Sequence, residues 1–125
     1  MRAALDPLRH VSGVLGSFTC AETGQVLAAD MPGRYSLAQL ESTAARLMNL
    51  LQSVDEALPD GRSVKLAFAE HQLWVRRHEL GLLCVLTASE VDRQMLTLTS
   101  RLVVRRLLEQ LGAEQLGAEQ LGAKR

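Results

Sequence analysis

Aromatic side chains are nearly absent from this chain. One Trp, one Tyr and two Phe occur among 125 residues, 3% in all. A core must therefore be built from Leu, Val and Ala. Cysteine is as scarce: only Cys20 and Cys84 are present. No Cys-x-x-Cys occurs and no His pair has zinc-helix spacing, so no metal site is expected. Both cysteines fall in apolar strand-like stretches and read as reduced, buried thiols; sequence leaves a disulfide between neighbouring strands open. Neither sign of charge dominates, with 14 basic and 14 acidic residues. That argues against binding nucleic acid through the whole surface, which needs a positive field to replace counterions. It also argues against membrane attachment by a polybasic patch. No apolar run approaches the ~18–20 residues of a membrane span, and Met1–Arg9 lacks the apolar region of a secretory signal. A cytoplasmic protein with no membrane and no nucleic-acid partner is the expectation.

What is present is organised around one stretch, Ser36 to Leu58. Ser36 and Gln39 form an S-x-x-Q capping box, and Tyr35 and Leu40 are placed as a hydrophobic staple. Pro59 and the turn pair Asp60-Gly61 end the helix. Leu37, Leu40, Ala44, Leu47, Leu51, Val54 and Leu58 recur at three- and four-residue steps and share one face. Leu50 and Ala57 widen that face on one flank and Met48 on the other. Ser42, Arg46, Asn49, Ser53 and Glu56 lie opposite. The pattern fits a core helix under a single sheet, and its width also fits a helix that meets a partner.

The remaining chain divides readily. Asp6-Pro7 opens a short helix with Leu5 and Leu8 inward. Val11 to Cys20 and Gln25 to Ala29 form a hairpin around Glu22-Thr23-Gly24, where Gly24 can take positive φ. Gly13 and Gly16 suggest a bulge or a close backbone approach. Ser63 to Glu70 alternates as a half-buried strand, His71-Gln72 reads as a turn, and Leu73 to Glu79 as the next strand. Leu80-Gly81 turns again, and the apolar run Leu82 to Thr87 fits a central strand covered on both faces. Ser89 is expected to cap a last helix with Val91, Met95, Leu98 and Leu102 as its main apolar stripe. Leu96, Val103, Val104, Leu107 and Leu108 widen that stripe; Gln94, Thr97, Arg101 and Arg105 face away. A Leu-Gly-Ala-Glu-Gln pentad then repeats from Leu111. Five residues step about 140° around a helix, so Leu111, Leu116 and Leu121 cannot share a face. Each pentad glycine costs about 1 kcal/mol against Ala in a helix. The expected division is a domain over 1–110 and a frayed low-complexity tail over 111–125. The expected fold class is α+β: a single five-stranded antiparallel sheet, hairpin plus three-strand meander. One long helix lies on one face and the terminal helices on the other.

No catalytic constellation stands out. There is no phosphate-binding Gly-x-x-x-x-Gly-Lys-Ser/Thr loop, and Gly13, Gly16 and Gly24 do not make a dinucleotide fingerprint. His10, His71 and His78 are scattered and read as surface or turn histidines. Glu70, His71, His78 and Glu79 flank one strand and read as solvated hairpin ends. Arg76, Arg77, Arg101, Arg105 and Arg106 read as solubility and helix-dipole residues; an arginine finger is possible in principle, but no position is marked out for it. No catalytic, cofactor-binding or metal residue is expected.

The element order and the hairpin Val-Ser-Gly-Val-Leu-Gly-Ser-Phe-Thr-Cys-Ala-Glu-Thr-Gly-Gln-Val-Leu-Ala-Ala resemble the Roadblock/dynein light chain family. The carrying features are Gly13-Val14 opening the strand, the acidic turn Glu22-Thr23-Gly24 and the small-residue strand Val26–Ala29. The likeness spans Leu5 to Leu108, and the chain is similar to the bacterial gliding-motility regulators within that family. The resemblance implies a homodimer with long helices packed together and third strands paired. Leu47, Leu50, Val54, Ala57, Val64, Leu66 and Phe68 would form its interface. It further implies a non-catalytic module that regulates or scaffolds a Ras-like small GTPase, at most as a GTPase-activating or regulatory partner. A nucleotide-independent structural adaptor of a motor or signalling complex is the alternative, and a small-molecule sensor a third reading, for which the leucine-rich helices leave little room.

Overall fold

The structure is a computed structural model that describes residues 2–53, 63–67 and 70–123, with side chains for 2–51, 64–67 and 70–112. The expected helix end at Pro59-Asp60-Gly61, and Val54, Ala57, Leu58 and Phe68, lie outside the described residues. A short 3-10 segment, Arg2–Leu5, runs into helix α1, Asp6–Arg9. Strands β1 (Val14–Ala21) and β2 (Val26–Asp30) form the hairpin and lead to α2 (Leu37–Ser53). Strands β3 (Ser63–Ala67), β4 (His71–His78) and β5 (Gly81–Ala88) make the meander, and α3 (Arg93–Ala123) closes the order. All five strands join in one antiparallel sheet in the order β2-β1-β5-β4-β3. The expected fold class is the observed one.

Each sheet face carries its own core. On one face Leu40, Ala44, Leu47 and Leu51 of α2 pack on Phe18, Cys20, Leu73, Val75, Leu82, Cys84 and Leu86. On the other, Leu5, Leu8 and Val11 join Leu83, Val85, Leu96, Val103 and Leu107. Strand β5 therefore has apolar side chains on both sides, as its unbroken apolar run requires. Cys20 and Cys84 are free and fully buried. The Cys84 thiol is hydrogen-bonded to that of Cys20; this bond, and then burial, hold it well above the ordinary thiol range, so it stays protonated near neutral pH.

The predicted cap of α2 forms in full: Ser36 N–H donates to Gln39 Oε1 at 2.8 Å and Gln39 N–H to Ser36 Oγ at 3.1 Å. Leu37 departs from expectation. It is 59% exposed, because it opens the first turn ahead of the Tyr35–Leu40 staple, and the packed face begins at Leu40. Gly24 has φ +89° in the hairpin turn, and pairing slips between Val14 and Gly16, the irregularity the glycines suggested. His71-Gln72 is not a turn: the two residues pair with Ala88 and Thr87, so β4 starts earlier.

The last helix differs most. Its N-cap is Asp92, whose Oδ1 accepts from Met95 N–H at 3.1 Å, rather than Ser89. Its buried face is Leu96, Thr99, Ser100, Val103 and Leu107, while Met95, Leu98 and Leu102 are 48%, 53% and 40% exposed. The expected main stripe is thus the outer one. Thr99 and Ser100 carry the inward phase but are polar, which hides it from a hydrophobic pattern. The backbone also stays helical through the pentads to Ala123. Leu, Ala, Glu and Gln are good helix formers, and the glycines stand singly among them.

The β2 edge is tied to the N-terminal segment by Asp30. Its carboxylate accepts from Arg9 Nη2 at 2.7 Å and Nε at 3.1 Å, and from Arg2 Nη2 at 3.4 Å. The Arg9 hydrogen bonds hold the Asp30 carboxyl below its usual value despite some burial. A depressed folded-state pKa gives stability that is full above the unfolded value of about 3.9 and is lost as pH falls through the folded one. Asp30→Asn is expected to lower Tm by a few degrees near neutral pH. The gap from the parent should close as pH falls below about 4, which thermal melts across that range would check.

Candidate interaction surface

The candidate surface starts from a helix with more apolar width than the sheet can cover. On α2, Leu47 is 5% exposed and Leu50 is 51% exposed. The two are three residues apart on one helix, yet only Leu47 meets the sheet. Ser42, Arg46 and Asn49 on the opposite face are exposed, as expected, and Met48 is half-buried.

The second component is β3. It is an edge strand, paired with β4 on one side only among the described residues. Val64 and Leu66 point to the α2 face and pack half-buried against its core. Lys65 points the other way, its ammonium 5.6 Å from the centre of the Trp74 ring, and Trp74 Nε1–H donates to Thr87 Oγ1 at 3.0 Å. An unpaired edge exposes a row of N–H and C=O groups that can accept another strand. The structure therefore brings Leu47, Val64 and Leu66 to one core, with Leu50 exposed on the helix that covers it. Val54, Ala57 and Phe68 of the expected interface are outside the described residues.

His78, expected at the surface, is buried. Its Nδ1 accepts from Leu80 N–H at 3.1 Å, so its proton sits on Nε2, 3.3 Å from Thr19 Oγ1; the Thr19 hydroxyl donates on to the Leu82 carbonyl at 2.9 Å. This chain pins the β4–β5 turn to β1. His78 is a structural histidine, not a ligand. Among the described residues no group of three His, Cys, Asp or Glu is placed to hold a metal ion, and no helix is long and apolar enough to cross a membrane.

Sequence reasoning missed two features. One is a cavity of about 260 Å³ near the start of α2, lined by Phe18, Tyr35, Leu40, Thr43, His71 and Leu73 among others. The leucine-rich helix leaves more room there than its composition suggests, and His71 buries Nδ1 without a hydrogen-bond partner. The other is a groove between β4 and α3 that brings Arg76 and Arg101 together. The signal for it was the inward phase of α3, which sets Arg101 beside β4.

No family model matches the chain, and no curated protein matches it in sequence. Solved structures do match its fold. A Roadblock/LC7 domain from Streptomyces avermitilis aligns with a TM-score of 0.76 over 89% of this chain and 97% of that one, at 17% identity. An MglB with a tetrameric arrangement gives 0.67 over 86% and 84%, at 16% identity. The gliding protein MglB from Thermus thermophilus gives 0.64 over 86% and 87%, at 18% identity. At such identities the likeness establishes architecture: the chain has the Roadblock fold.

Proposed function

From the Roadblock fold as premise, we propose that the chain is a homodimeric binding module that regulates or scaffolds a Ras-like small GTPase and performs no catalysis of its own. The observation that carries this reading is an apolar residue left over on α2, Leu50, above a sheet whose β3 edge has no second neighbour among the described residues. A second copy would cover the helix flank and extend the sheet through β3, removing apolar surface and edge groups from water together. Leu47, Val64 and Leu66 would support that interface from beneath and beside it, with Val54, Ala57 and Phe68 continuing it. The tetrameric arrangement of one MglB supports association in this fold. The module would act in the cytoplasm and need no cofactor.

Leu50→Asp tests the interface. The side chain is already half in water, so the folded monomer should keep its stability within about 0.5 kcal/mol. Dimer dissociation should strengthen by about a hundredfold, the scale of losing a central apolar contact and burying a charge in its place. Sedimentation equilibrium reads this directly, and a variant that dimerises as tightly as the parent would remove α2 from the interface. The partner is tested by capture on immobilised protein with GDP or a non-hydrolysable GTP analogue. A small GTPase retained in one nucleotide state supports regulation. The same non-GTPase partners in both states would leave a structural adaptor instead.

A further inference from the structure

The outer stripe of α3 belongs to no part of that reading. Met95, Leu98 and Leu102 recur at steps of three and four residues and are 48%, 53% and 40% exposed. They lie on the helix that covers the sheet face opposite α2. We propose that this stripe binds the same stripe of a second copy of the chain. The two α3 helices run antiparallel about a two-fold axis, with Leu98 of each copy against Leu102 of the other.

The inward face of α3 is complete without these three residues, since Leu96, Val103 and Leu107 fill the core beneath it. A second apolar seam at the spacing of paired helices therefore points away from the sheet. In the proposed pair the contact between Leu98 and Leu102 occurs twice, once from each copy. The same register lays Met95 on the aliphatic stem of the partner's Arg105. It also brings Asp92 to the partner's Arg106, again twice. Asp92 and Arg106 are both exposed. At 100° per residue they fall on the same flank of the stripe, as pairing about such an axis requires. Asp92 Oδ1 accepts from Met95 N–H at 3.1 Å, and a carboxylate has acceptor capacity for a guanidinium besides.

Charge sets both the occupant and the direction. The stripe has an acidic residue, Asp92, at its start and the adjacent pair Arg105 and Arg106 just past its end. A parallel pair would set these arginines against their own copies, which is unfavourable. The antiparallel pair matches the acidic end to the basic end and opposes the helix dipoles. The stripe thus carries its own complement, apolar in the middle and opposite in charge at the two ends. Arg101 marks the other flank, close to the axis, where it approaches the partner's Arg101. That repulsion opposes association and gives the register a signature of its own. Helix α2 packs on the other side of the sheet, so the two associations can coexist.

The test is sedimentation equilibrium of the full chain at concentrations up to about 200 µM, with Leu50→Asp, Leu98→Glu and the double variant beside the parent. The seam is short, so a dissociation constant of about 10–100 µM is expected. Leu50→Asp should still dimerise in that range, and adding Leu98→Glu should leave a monomer. Leu98 is more than half exposed, so thermal melts should show the variants folded. Two substitutions of the same chemistry then read the register in the Leu50→Asp chain. Arg106→Gln should weaken the dimer about threefold by removing the contact to Asp92, and Arg101→Gln should tighten it. Three results would overturn the proposal: a monomeric Leu50→Asp variant at the highest concentration, a double variant as dimeric as Leu50→Asp alone, or shifts of the same sign from Arg106→Gln and Arg101→Gln. The last would mean that overall charge, and not this register, governs association. The α2 interface fails separately: Leu98→Glu alone would then be monomeric while Leu50→Asp matched the parent.

Discussion

Leu47→Asp is expected to leave the chain unfolded at room temperature. Leu47 is 5% exposed and packs in the cluster that joins α2 to Phe18, Leu73, Val75 and Leu86. Removing a buried leucine side chain costs about 2–5 kcal/mol in lost transfer and cavity terms. The introduced carboxyl adds the cost of a polar group with no partner in an aliphatic site, and burial drives it toward its neutral form, which still lacks a hydrogen bond. A domain of this size has a total stability of about 5–15 kcal/mol, so the sum reaches or exceeds the lower part of that range. The core cannot soften the change by shifting aromatics, because the α2 face is built almost wholly from aliphatic side chains. Far-UV circular dichroism and a urea titration would check this. Leu47→Ala should fold but unfold at lower urea. A cooperative melt of Leu47→Asp within a few degrees of the parent would show that α2 does not hold this face.

The contrast with Leu50 indicates where sequence reading succeeds. Periodicity fixes which face of a helix is apolar; it does not say how wide a strip the sheet will cover. For α2 the caps could be read directly, because a capping box is a local exchange of hydrogen bonds between residues three apart. The hairpin was legible for the same reason, since Gly24 supplies the positive φ its turn requires. On α3 the reading went to the wrong strip. Thr99 and Ser100 take core positions, and Met95, Leu98 and Leu102 are left outside. A hydrophobic count follows the leucines, whereas the chain follows the sheet. Asp92 caps that helix because its carboxylate lies three residues before Met95 N–H; Ser89 is too far upstream to reach it.

Long-range partners explain the remaining differences. His78 looks like a solvated residue near a strand end in sequence, and only folding brings Thr19 to it across 59 positions. Arg76 and Arg101 look like ordinary solubilising residues until the sheet and α3 set them on one groove. Interface residues are harder still: Val64 and Leu66 could be assigned to a half-buried strand from their alternation, but what an edge pairs with is a property of a second chain. The fold was therefore legible where local chemistry decides, and the surfaces only in part.

Gly81→Ala is expected to be the most damaging of the single-methyl additions at the glycines. Gly81 begins β5 directly after the turn, pairs with Ala21 of β1 and His78 of β4, and has φ +154°. A Cβ there would overlap the Cys20 carbonyl oxygen and come within 2.9 Å of its carbon and 3.0 Å of Ala21 Cα. All three atoms are backbone of β1, which is held on both sides by β2 and β5 and cannot yield as a flexible side chain would. Overpacking of this kind costs about 1–3 kcal/mol, and the strained φ adds to it. The same strand pairing seats Thr19 against His78, so its hydrogen bonds would loosen with it. Two other glycines calibrate the effect. Gly24 has φ +89° but meets only ordinary contacts from 3.4 Å outward, so Gly24→Ala should cost about 1–2 kcal/mol from backbone conformation alone. Gly33 has nothing within 4 Å, and Gly33→Ala should be neutral or slightly stabilising through a less flexible unfolded chain. Urea unfolding of the three variants should rank them Gly81, Gly24, Gly33 from largest loss to least. If Gly81→Ala were as stable as Gly33→Ala, the β1–β5 register would have to be different, and with it the placement of both cores.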